Sequence, residues 1–224
     1  MRYAVYLTPP DGSQLAEAAA SWLGRSPFFD AAMPPVAPPE ASAHVPARYG
    51  FHATLRAPFR LADGVSELDL VAAFRHHIAR VAPIVPVLTI APLSRFLAFR
   101  SDDPALGAAA RAAVEAFEPL RAPLTAADLA RRQPERLDPR ERELLDTWGY
   151  PYVMERFQFH MTLTGPLGIG AEAVAAAARS HFGALDKAAH PLVHAIYRED
   201  TPGGAFRVIA AQGTAANDNS DKTP

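Results

Sequence analysis

Phe51-His52-Ala53-Thr54-Leu55 and Phe159-His160-Met161-Thr162-Leu163 are two versions of one five-residue pattern. In an extended strand successive side chains alternate between faces. His and Thr of each copy, two residues apart, therefore project together, while Phe, Ala or Met, and Leu face the other way. One face is apolar and suited to burial; the other carries an imidazole beside a hydroxyl. Two such strands brought together would converge two imidazoles and two hydroxyls on one cleft. A lone His-x-Ser/Thr says little, because a chain with eight His in 224 residues would show it by chance about 0.7 times. Two copies that share Phe before the His and Leu after the Thr set a stronger expectation.

The composition narrows what the cleft can serve. At 224 residues with 49% hydrophobic side chains the chain can bury a large core. Its net charge of −2 gives no overall basic field, so no long nucleic acid is expected as a partner. The absence of cysteine removes disulfides, thiolate catalysis and the usual zinc cages, and fits a cytoplasmic protein. The apolar run Tyr3 to Leu7, stopped by Pro9-Pro10, is too short for a signal peptide or a membrane span.

Along the chain, Arg2 to Leu7 reads as a strand ended by a turn at Asp11-Gly12. Ser13 can cap a helix to Leu23 that Gly24 closes. Five prolines between Met33 and Pro46 predict a surface loop, neither helix nor central strand, that leads into the first motif and has the position of a lid. Leu68, Val71, Phe74, Ile78 and Val81 have helical spacing over 66–81, a segment in which His76 and His77 are expected partly exposed. Strands are expected over Val85–Ala91 and Phe96–Phe99. Asp103-Pro104, Thr125 and Asp138-Pro139 are helix-start signals. After the second motif come a helix over Ala171–Phe182 and strands over Leu192–Tyr197 and Phe206–Ala211, joined at Pro202-Gly203-Gly204. His52 to Phe96 spans 44 residues and His160 to Phe206 spans 46. The order motif strand, helix, strand, strand thus occurs twice, which suggests a duplicated lobe, at about 48–100 and 155–213. The polar tail 214–224 is expected to be disordered.

Two histidines with ordinary pKa values near 6.5 can divide the work of opening a cyclic phosphodiester. One, neutral, deprotonates the attacking water; the other, protonated, gives its proton to the leaving oxygen. The threonine hydroxyls can donate hydrogen bonds to the phosphoryl oxygens where charge accumulates. The chemistry needs no metal and no cofactor. Arg56, four residues after His52, falls on the same strand face if the strand continues, and could pair with a phosphate; the matching position in the second copy is Thr164. Arg48 and Tyr49 are further substrate-binding candidates. Arg131, Arg132 and Arg136 read as a solvated helix face, and His190 with His194 does not read as a metal pair.

Two H-x-T motifs 108 residues apart, each followed by a helix and two strands, resemble the 2H phosphoesterase superfamily. The stretches Arg48-Tyr49-Gly50-Phe51-His52-Ala53-Thr54-Leu55-Arg56-Ala57-Pro58-Phe59 and Phe159-His160-Met161-Thr162-Leu163-Thr164-Gly165-Pro166 resemble the branch encoded beside bacterial carbon-phosphorus lyase genes. The resemblance covers residues 1–213 and implies a bilobal α+β fold of two antiparallel sheets flanked by helices around a central cleft. It makes His52, Thr54, His160 and Thr162 the catalytic positions, and it implies metal-independent hydrolysis of a ribose 1,2- or 2′,3′-cyclic phosphate in phosphonate metabolism. A monomer acting on a small phosphorylated sugar or nucleotide is the expected form. An RNA-end 2′,3′-cyclic phosphodiesterase or ligase, and a non-catalytic phosphosugar or nucleotide binder, are the alternatives.

Overall fold

The computed structural model describes residues 1–29 and 32–213, so the expectation for the tail 214–224 lies outside the described residues. The first half runs β1 (Arg2–Thr8), α1 (Gln14–Leu23), α2 (His44–Ala47), β2 (Ala53–Phe59), α3 (Glu67–Ile78), β3 (Val87–Leu93), β4 (Phe96–Arg100) and α4 (Pro104–Phe117). The second half runs α5 (Ala126–Arg132), α6 (Pro139–Trp148), β5 (Met161–Thr162), α7 (Ala171–Phe182), β6 (Ala188–Ala189), β7 (Val193–Glu199) and β8 (Phe206–Ala211). Among the described residues no helix is long and apolar enough to cross a membrane.

Helix boundaries follow the capping chemistry. Ser13 Oγ accepts from the Ala16 amide to start α1, and Gly24 ends it in the left-handed conformation. Ser66 with Asp69, Thr125 with Asp128 and Asp138 with Glu141 form reciprocal capping boxes at α3, α5 and α6. The Pro-rich segment is more structured than its composition suggested: Pro39–Ala41 form a 3₁₀ turn and His44–Ala47 one α-turn. Pro39 and Pro46 lie in first turns, where the missing amide would have had no intrahelical partner. The segment is also anchored, because the Gly165 amide donates to the Ala41 carbonyl at 2.8 Å and Ala41 and Ala43 are buried.

Two four-stranded antiparallel sheets have the orders β2-β1-β7-β8 and β5-β4-β3-β6. Each motif lies at the edge of one sheet, and β2 contacts β5. The sheets do not follow the two contiguous stretches expected. The hairpin after the first motif, β3-β4, pairs with β5, and the hairpin after the second motif, β7-β8, pairs with β1. Each sheet thus combines strands from both halves.

The main apolar cluster lies between sheets and helices. It takes Val5 and Leu7 from β1, Ile90, Leu97 and Phe99 from the second sheet, Trp22 from α1, Phe74 from α3 and Phe182 from α7. Phe51, Ala53, Leu55, Phe159, Met161 and Leu163, the apolar partners within the two motifs, all belong to it. The opposite face of the first sheet carries Ala4, Tyr6, Ala195, Tyr197 and Phe206.

Two expectations for α3 are corrected. Its buried residues are Leu70, Phe74 and His77, whereas Leu68 is 81% exposed; Leu70 shares with Phe74 and His77 a stripe at spacings of four and three. His77, expected partly exposed, is 6% exposed and meets His194 edge to face at 5.3 Å.

Candidate active site

The two histidines are held by the same device. His52 Nδ1 lies 2.9 Å from the Gly50 carbonyl and His160 Nδ1 lies 2.8 Å from the Gln158 carbonyl, in each case two residues upstream. A carbonyl only accepts, so each Nδ1 carries the proton and donates it. That fixes the tautomer and leaves both Nε2 atoms free for chemistry. Gly50 makes the first of these turns possible: its φ is +71°, and a Cβ there would stand 2.7 Å from Pro27 Cβ. Thr8 Oγ1 donates to the Phe51 carbonyl at 3.0 Å and fixes the peptide that precedes His52.

His52, Thr54 and Thr162 line one cleft of about 490 Å³. An adjoining recess of about 240 Å³ is lined by Thr54 and His160, so Thr54 stands where the two spaces meet. His52 packs against the Tyr6 ring, centroids 4.0 Å apart and planes 29° apart, with Tyr49 at 5.6 Å and Tyr197 at 6.2 Å. Burial in this aromatic setting lowers the His52 pKa to about 4; the Gly50 carbonyl opposes the shift and the nearby charge of His160 adds to it. The two imidazoles are therefore within electrostatic reach of each other.

The remaining sequence candidates divide. Tyr49 lines the cleft and stacks on Phe206 at 5.1 Å. Arg48 also lines it, fixed by Glu199 and by the Gly204 carbonyl at 2.9 Å, with its guanidinium 5.2 Å from the Tyr49 centroid. Thr164 is fully buried at the cleft wall, and its hydroxyl accepts from the Leu97 amide at 3.0 Å. Arg56 is not beside His52 and Thr54. Pairing of β2 with β1 runs Tyr6 with Thr54 and then Val5 with Arg56, an irregularity that places two residues opposite one. The extra residue reverses the alternation, so Arg56 turns away from the His52 face, pairs with Glu118 and is 2% exposed.

Sequence reasoning missed Tyr6, Arg2, Arg131 and Arg132, which all line the cleft. The tandem arginines are visible as a motif, but nothing local marks the α5 face that meets the cleft. Among the described residues no group of three or more His, Cys, Asp or Glu is placed to hold a metal ion. His190 Nε2 contacts the Leu185 carbonyl at 2.8 Å and His194 faces His77.

A family described as a protein of unknown function, DUF1045, matches residues 54–207, more than half of the chain and including Thr54, His160 and Thr162. The chain belongs to the DUF1045 family. It is 40% identical over 222 residues to a protein of Janthinobacterium sp. (strain Marseille) named ribose 1,5-bisphosphate phosphokinase PhnN, covering 92% of this chain and 49% of the relative. A protein of Laribacter hongkongensis (strain HLHK9) with the same name is 39% identical over 219 residues, covering 93% and 50%. This DUF1045 chain spans about half the length of these curated relatives.

Proposed function

We propose that this chain opens a cyclic phosphate of ribose by hydrolysis, with His52 as general base and His160 as general acid. The observation that carries the reading is the matched pair of imidazoles, each with Nδ1 tied to the carbonyl two residues upstream and each beside a threonine at one composite cleft. His52, held neutral by its aromatic surroundings, suits the base. His160, which is less enclosed, takes the acid role. Water is deprotonated by His52 Nε2 as its oxygen bonds to phosphorus; the ring P–O bond breaks and the departing sugar oxygen receives the proton of His160 Nε2. The product is a phosphate monoester, and solvent returns the two rings to their starting states. Thr54 and Thr162 donate to the non-bridging oxygens, where charge grows. The arrangement of two antiparallel sheets with one motif at each supports membership of the 2H phosphoesterase superfamily.

The names of the relatives support a particular ring. Breaking the bond between phosphorus and the C2 oxygen of 5-phosphoribosyl 1,2-cyclic phosphate leaves ribose 1,5-bisphosphate, the compound those names give as the phosphokinase substrate. This chain has no G-x-x-x-x-G-K-[ST] stretch, and its only lysines are Lys187 and Lys222, so phosphoryl transfer of the P-loop kind belongs in our reading to the half of the relatives outside the match. The chain would supply, within phosphonate metabolism, the substrate that a kinase consumes. Phosphorus NMR of 5-phosphoribosyl 1,2-cyclic phosphate incubated with the protein in EDTA tests the reading: conversion to a monoester that is lost in His52→Ala and His160→Ala is expected. Turnover that appears only on addition of metal would refute it.

A further inference from the structure

One wall of the cleft is more cationic than two-histidine chemistry requires. Arg2, Arg131, Arg132 and Tyr150 line both the cleft and a narrow recess behind it, to which Arg56, Arg60 and Arg121 add their guanidinium groups. Among the described residues three carboxylates answer these six arginines. Glu199 holds Arg2, Glu118 holds Arg56 and Arg121, and Asp128 holds Arg131 with Arg60 3.6 Å away. Arg132 has no carboxylate partner among the described residues, and its guanidinium is held 4.6 Å from the centroid of the Tyr150 ring. Behind it Arg56 is buried, with Nε and Nη1 lacking a hydrogen-bond partner among the described residues, an arrangement that calls for an acceptor. The recess itself, about 20 Å³, admits one oxygen-sized group and not a whole anion. An anion on this wall therefore sits in the cleft, against Arg132, and shares its space with His52, Thr54 and Thr162.

We propose that this wall is the subsite for a second phosphate group of the substrate, a monoester carried by the same sugar as the cyclic phosphate, with Arg132 as its principal ligand and Arg131 beside it. The proposal rests on the reading of the cleft as a cyclic phosphate site. A monoester dianion fits the local excess of positive charge, and the planar guanidinium presents paired donors to two of its oxygens. Because the wall and the two threonines bound one continuous space, both phosphates belong to one molecule. The overall charge of −2 makes the positive region a local feature, matched to a small ligand.

Two measurements separate this proposal from the activity itself. Calorimetric titration with ribose 5-phosphate is expected to show binding that Arg132→Gln weakens about tenfold or more, that Arg132→Lys partly restores, and that His52→Ala leaves in place. Ribose binding as tightly as ribose 5-phosphate, or Arg132→Gln binding like the wild type with an unchanged melting temperature, would overturn the subsite. In turnover, the ratio of kcat/KM for the 5-phosphorylated over the unphosphorylated ribose 1,2-cyclic phosphate should exceed about ten and fall toward one in Arg132→Gln. A ratio near one in the wild type would sink the subsite while leaving the hydrolase intact. Arg132-dependent binding without turnover of either cyclic phosphate would keep the subsite and remove the hydrolase.

Discussion

Replacing Tyr6 by Ala strips from His52 the ring stacked on it at 4.0 Å and lets water reach one imidazole face. In the native protein burial brings the His52 pKa from 6.5 to about 4. At about 1.4 kcal/mol per unit, that shift corresponds to at most about 3.5 kcal/mol between neutral and charged rings, reduced by whatever water already reaches a half-buried group. Tyr6 covers one face while Tyr49 and Tyr197 remain, so the variant should recover part of the shift, about one unit or more toward 6.5. Long-range ¹H–¹⁵N NMR of the imidazole nitrogens between pH 3.5 and 8 reads this directly in the ligand-free protein, whatever reaction it performs. With His52 as the proposed base, the acid limb of kcat/KM should move to higher pH by the same amount, since a base must be neutral to act. A wild-type His52 midpoint near 6.5, or a midpoint that Tyr6→Ala leaves unchanged, would refute the argument that the aromatic setting keeps this ring neutral.

Thr54→Val and Thr162→Val each remove one hydroxyl donor while preserving shape, and each should lower kcat by about 10²–10³ with little change in melting temperature; steady-state kinetics beside a thermal melt checks this. Gly50→Ala forces a left-handed residue to carry a Cβ 2.7 Å from Pro27, so urea unfolding should show a loss of about 1–2 kcal/mol or more. The same variant should lose activity through the displaced His52 ring. His194 is 1% exposed, and burial foremost, with the charge of His77 adding, lowers its pKa to about 4. Its neutral form is the one the fold accommodates, so its contribution is complete above pH 6.5 and shrinks as pH falls toward 4, by about 3 kcal/mol in all. Urea midpoints at pH 7 and pH 4.5 should show most of that loss, and His194→Leu should reduce the slope while the share due to His52, lowered to about 4 as well, remains.

The sequence announced what is local. Ser13 and Gly24 bracketed α1, the Asp103-Pro104 pair opened α4, and the bounds of α7 and β8 could be drawn from periodicity and turn residues alone. The apolar face of each motif reached the core as its alternation required. What was not legible depends on partners distant in the chain. A single irregularity opposite Tyr6 moved Arg56 off the cleft face, and strand alternation cannot register an inserted residue in advance. The pairing of β7 with β1 and of β4 with β5 has no counterpart in composition, because equal hairpins compete for the same edges. His77 looked like a surface residue beside His76 until the helix turned Leu70 and not Leu68 inward. Arg131 and Arg132, on a short capped helix, gave no sign that they look onto the cleft.

The exchange of hairpins between the two sheets also dictates when the pocket comes into existence during synthesis. Strand β1 precedes β2, which pairs with it on one side, but waits for β7, which follows both motifs in the sequence, to cover the other. A growing chain that has already exposed both histidines therefore still lacks the central pairing of the sheet that holds His52. Deleting β7 and β8 would remove no candidate catalytic side chain and yet leave the floor beneath one of them unbuilt.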